Sequence, residues 1–93
     1  MKIRYTATAL LEIDEISQYI AKRSPAAAKA IVERVEQTVN LLADFPEMAQ
    51  RTNEEGVRRM PVGSYPFLVF YAIENDEIVI LHVRHGAHRY PWE

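Results

Sequence analysis

Ser24-Pro25 stands between two apolar stripes of helical period, and no other feature constrains the chain as much. Serine is a favoured N-cap, and proline is tolerated at the first helical position because its missing N–H would have no partner there. Upstream, Ala9, Ile13, Ile16 and Ile20 recur at i, i+4, i+7 and i+11, one stripe of a 3.6-residue period. Glu12, Asp14, Glu15 and Gln18 fall off that stripe, and Thr8 is the expected N-cap. Downstream, Ala28, Ile31, Val32, Val35, Val39 and Leu42 carry an apolar face, with Lys29, Glu33, Glu36 and Gln37 elsewhere. This second helix should stop near Ala43, before Phe45-Pro46. The two form a helical hairpin.

The flanks read as strands. Lys2-Ile3-Arg4-Tyr5 is a short N-terminal strand, and Val57 to Pro61 another after the polar loop Glu47 to Gly56. Pro61-Val62-Gly63-Ser64 marks a turn. Tyr65 to Ile73 is rich in aromatic and β-branched residues, as strands are. Glu74-Asn75-Asp76-Glu77 turns the chain, Ile78 to Arg84 returns as the last strand, and His85 to Glu93 forms an irregular tail. Residues 1–93 thus read as a single α+β domain: an N-terminal strand, a helical hairpin, then antiparallel strands forming one sheet with the helices on one face.

Alternation assigns faces. Val79, Leu81 and Val83 share one side of the last strand, the side expected to pack on the helices; Ile78, Ile80, His82 and Arg84 share the other. The preceding strand is apolar on both sides, with Phe67 and Val69 on one and Leu68 and Phe70 on the other. Two helices cover one face only. Phe67, Val69, Ile78 and Ile80 are therefore expected to offer an uncovered apolar surface to a protein partner. The competing expectation is that the tail folds back, with Trp92 as a lid.

Charge excludes some functions. Lys plus Arg is 11 against 13 for Asp plus Glu, a formal charge of -2, so the chain is no polycation coating nucleic acid. Absence of cysteine excludes thiol catalysis, cysteine-based zinc sites and iron–sulfur clusters. The longest apolar run, Tyr65 to Ile73, is too short to span a membrane, and the first residues do not read as a signal peptide.

Charge is also unevenly placed. From Ile78 to Trp92 there is no acidic residue, while His82, Arg84, His85, His88 and Arg89 all occur. Arg58 and Arg59 lie on a strand expected nearby, and Tyr90 and Trp92 add groups suited to anchoring an interface. Together these nine residues outline a site for phosphate or an acidic protein surface; the plainer reading is a solvated edge that discourages strand pairing. His82, His85 and His88 recur every third residue, but in a strand such residues point to opposite faces, and no Asp or Cys completes a metal site. No cofactor motif occurs. One enzymatic chemistry survives: metal-free RNA cleavage, with His85, His88 and Tyr90 moving protons and Arg58, Arg84 and Arg89 holding phosphate.

The order of these segments resembles the ParE/RelE superfamily of bacterial toxins, and in detail its ParE branch. The matching stretches are Ala9 to Ala21, Ser24-Pro25-Ala26-Ala27-Ala28, Leu42-Ala43-Asp44-Phe45-Pro46, Gly56-Val57-Arg58, Pro61-Val62-Gly63-Ser64-Tyr65 with Phe70-Tyr71, and Ile80 to Gly86. The resemblance implies a bacterial cytoplasmic toxin that poisons DNA gyrase without being an enzyme and is neutralised by a ParD-like antitoxin. The RelE branch instead cuts mRNA on the ribosome, using lysines and arginines with a C-terminal tyrosine or histidine. Arg58 falls where that branch also carries an arginine, and Arg84 and Tyr90 lie near its other positions; as a nuclease the chain would use Arg58, Arg84, His85, His88 and Tyr90. The lysine-rich part has no counterpart, since Lys29 is the last lysine.

Overall fold

A computed structural model describes residues 1–86. The order is β1 (Lys2–Tyr5), α1 (Ala7–Ala21), α2 (Pro25–Asp44), β2 (Gln50–Arg51), β3 (Arg58–Pro61), β4 (Phe67–Glu74) and β5 (Glu77–His85). The five strands form one sheet in the order β1-β5-β4-β3-β2. The fold class is the expected α+β, with one refinement: β1 joins β5 in parallel, from Lys2↔Glu77 to Tyr5↔Ile80, so the sheet is mixed.

Local chemistry accounts for the elements. Ser24 accepts the Ala27 N–H at 3.1 Å, with Pro25 opening α2. The N-cap of α1 is Thr6 rather than Thr8: its hydroxyl accepts the Ala9 N–H at 3.1 Å and donates to the Ile80 carbonyl at 2.9 Å. A hydroxyl that caps a helix and ties it to β5 outcompetes one that can only cap. The β4–β5 turn places Asn75 at φ 49° and Asp76 at φ 60°, the paired positive values of a type I′ hairpin. Gly63 has φ +56°, and the Arg34 Nε lies 3.0 Å from where a Cβ would stand. The short β2, within a segment expected to be loop, pairs with β3 through Gln50↔Arg59 and Arg51↔Arg58.

The core lies between the hairpin and one sheet face. It contains Ala9, Ile31, Val35, Val39 and Leu42 from the helices and Val69, Tyr71, Ile78, Ile80 and Val83 from the sheet, with Ile13, Ile16 and Ile20 packed against it. This corrects the expected faces. Tyr71 pairs with Ile80 but Phe70 pairs with His82, so Leu81 is an extra residue and β5 carries a bulge there. A bulge reverses alternation. Ile78 and Ile80 therefore face the helices before it and Val83 after it, while Val79 lies on the opposite side.

The uncovered apolar surface expected at Phe67, Val69, Ile78 and Ile80 is consequently not there. Val69, Ile78 and Ile80 are fully buried, and Phe67 is half-buried against the core. On the helix-free face Phe70 and Val79 are buried as well. Trp92 as a lid lies outside the described residues.

Candidate functional site

Strand register arranges the helix-free face. Gln50, Arg59, Phe70 and His82 stand in one row across β2, β3, β4 and β5. Pro61, Leu68 and Arg84 form the next row. Arg59, His82 and Arg84 thus surround the buried Phe70, and the His82 ring meets it edge-on at a centroid distance of 6.5 Å. The bulge that places Ile78 and Ile80 in the core also puts His82 and Arg84 on this face.

One acid organises the far end of the row. Beyond Ile80, β1 no longer pairs with β5, and α1 lies along the strand instead. Its Glu12 takes the Val83 N–H at 3.3 Å, meets His82 Nδ1 at 3.0 Å, and accepts from Arg84 Nε at 2.6 Å. Nothing in the sequence pattern singled out Glu12. It sits 72 residues from Arg84, and only the bulged register brings the two together.

His85 and Arg58 point the other way. His85 follows Val83 on the helix side, where its ring meets Phe67 edge-on at 5.6 Å. His85, Arg84, Glu15, Ile16 and Phe67 line a shallow depression of about 240 Å³ beside Glu12. Arg58 on β3 stands opposite Tyr71 on the neighbouring β4, and donates to the carbonyls of Glu47 at 3.1 Å and Ala49 at 2.9 Å. The Tyr71 hydroxyl donates to the Pro46 carbonyl at 2.7 Å. Burial pushes the Tyr71 phenol up, with Arg58 opposing that shift.

Of the expected site residues, Arg59, His82 and Arg84 therefore share one face, His85 joins Arg84 only at the α1 edge, and Arg58 is engaged with the loop after α2. His88, Arg89, Tyr90 and Trp92 lie outside the described residues. Among the described residues no three potential ligands gather for a metal ion, and no helix is long and apolar enough to cross a membrane.

Residues 3–90 match the family model described as the ParE toxin of the type II toxin–antitoxin system parDE. The chain belongs to the ParE toxin family. It resembles a protein designated a candidate toxin, Y4kP, of Sinorhizobium fredii, with 33% identity over 97% of this chain and 93% of that one. It is also 28% identical to the toxin RelE2 of Caulobacter vibrioides, over 92% of this chain and 96% of that one. A chain of the chromosomal ParDE system of P. aeruginosa shares the fold, with a TM-score of 0.80 and 23% identity over 91% of this ParE-family chain and 95% of its own.

Proposed function

We propose that this toxin acts on DNA gyrase as an inhibitor protein and is held inactive by a ParD-like antitoxin in the bacterial cytoplasm. The observation that carries the gyrase reading is the composition of the basic surface. Arg59, His82 and Arg84 surround a buried aromatic on a chain of formal charge -2, with no lysine after Lys29. Few cations on a net-acidic protein give weak affinity for a polyanion but suit an acidic protein surface.

The antitoxin reading follows from membership of a toxin–antitoxin family and from the neighbour named for a ParDE system. Since Val69, Ile78 and Ile80 are enclosed, its apolar contacts fall to exposed side chains. Leu11 and Tyr19, 58% and 68% exposed, lie eight residues apart and hence on one side of α1. An amphipathic antitoxin segment can pack there.

The second reading, ribosome-dependent mRNA cleavage, is favoured by the relative named RelE2. Pulse labelling of DNA and protein synthesis after induction without antitoxin separates the two. The gyrase reading expects DNA damage and falling DNA synthesis while translation continues. An immediate collapse of translation with cleaved mRNA would overturn it.

A further inference from the structure

Glu12 lies off the apolar stripe of α1, where a solvated carboxylate is the ordinary expectation, yet its side chain is only 16% exposed. Both its oxygens are engaged. Oε1 meets His82 Nδ1 and the Val83 N–H, and Oε2 meets Arg84 Nε. Three successive residues of β5 thus direct a polar group at one carboxylate.

Their purposes differ. Taking the Val83 N–H closes a strand edge that β1 leaves open, and any carbonyl-type oxygen could do that. The other two contacts fix side chains. A carboxylate at Nδ1 holds the imidazole proton on that nitrogen and sets the ring's orientation. A charge-assisted bond at Nε restrains the Arg84 side chain and so limits where its terminal nitrogens can reach.

We propose that Glu12 is a positioning residue for the toxic surface, holding His82 and Arg84 in the geometry with which they meet the target. The inference rests on the reading that His82 and Arg84 belong to that surface. It extends the surface from the sheet to α1 and makes toxicity depend on an acid that itself touches no target.

The test compares Glu12→Gln, His82→Ala, Arg84→Ala and the double variant Glu12→Gln/Arg84→Ala, each at matched protein level. The readouts are the expression needed for half-maximal growth inhibition and the melting temperature of purified protein. Glutamine still offers an oxygen to Val83 but places an amide or a neutral oxygen against His82 and Arg84. Glu12→Gln is therefore expected to melt close to wild type and to lose toxicity about tenfold to a hundredfold, as displaced contact groups do. Glu12→Gln should lower toxicity by a smaller factor in the Arg84→Ala background than in the wild type, because only His82 is then left for Glu12 to hold. Wild-type toxicity in Glu12→Gln beside weakened Arg84→Ala would overturn the positioning role. Full toxicity in both His82→Ala and Arg84→Ala would instead overturn the target reading on which it rests. Nitrogen NMR of the wild type adds a check independent of any variant's folding. A proton on His82 Nδ1 and a slowly exchanging Arg84 Nε–H are expected; an Nδ1 that carries no proton, with rapid exchange at Arg84 Nε, would overturn the proposal.

Discussion

Arg58 and Tyr71 stand opposite each other on neighbouring strands and reach for the same stretch of chain. The guanidinium holds the Glu47 and Ala49 carbonyls, and the phenol holds that of Pro46. Together they fasten the exit of α2 to the sheet, so the segment that leads into β2 is set by two side chains more than by its own propensity.

Removing the phenol tests this fastening. Tyr71→Phe leaves the Pro46 carbonyl without its donor and should cost about 1–2 kcal/mol in denaturant unfolding. Burial raises the Tyr71 pKa above its ordinary 10.0. The unfolded chain therefore releases this proton first as pH rises. The stability linked to it is complete below about 10 and is lost as pH climbs through the folded value. Tyr71→Phe should flatten part of that alkaline loss. Tyr5, raised by burial and by Glu36, should retain the remainder until it too becomes phenylalanine.

The neighbouring arginines should behave oppositely. Arg58→Ala is expected to lower stability by about 1.5–3 kcal/mol, as lost hydrogen bonds to a charged group do, with toxicity per folded molecule unchanged. Arg59→Ala should lower toxicity. Parallel melting and growth assays read both, and a toxicity loss confined to Arg58→Ala would reverse the assignment of faces.

Thr6 joins a helix cap to the bulged strand. Thr6→Ala should destabilise the chain by about 1–2 kcal/mol, near the upper end for a lost N-cap, whereas Thr6→Ser should lose far less. Thr8→Ala, at the residue first expected to cap, should be nearly silent in the same unfolding experiment.

Gly63 is held by its backbone and by Arg34. Gly63→Ala should cost about 1–2 kcal/mol from the left-handed φ alone. Arg34→Ala in the same chain should relieve only the crowding, so full recovery of the melting temperature would show that φ was not the constraint.

Antitoxin recognition should separate from toxicity on α1. Leu11→Lys combined with Tyr19→Lys is expected to keep the melting temperature and the growth inhibition but to lose rescue by a co-expressed antitoxin. Undiminished rescue would place the antitoxin elsewhere.

Features that depend on neighbouring residues were legible in the sequence. Ser24-Pro25 announces α2, the stripe from Ala9 to Ile20 announces α1, and Asn75-Asp76 announces the hairpin. Features that depend on one residue out of step were not. Counting by two along β5 assumes an unbroken pleat, and the extra Leu81 reverses every face assignment before it relative to those after it. For this reason Ile78 and Ile80 read as surface and proved to be core, while the shared face of His82 and Arg84 was read correctly. Glu12 was invisible for a related reason: its partners belong to a strand laid beside it only once the sheet has formed.

The parallel pairing of Lys2–Tyr5 with Glu77–Ile80 has a consequence for biogenesis. β1 is made long before β5 and must wait for it before it can dock, and contacts of such long sequence separation form late and slowly. During synthesis the nascent chain can build its helical hairpin but not its finished sheet. His82 and Arg84 come under the grip of Glu12 only after β5 has left the ribosome. On the roles proposed above for Glu12 and α1, an interval then separates translation from toxicity, in which an antitoxin already present would meet α1 before the toxic surface is set.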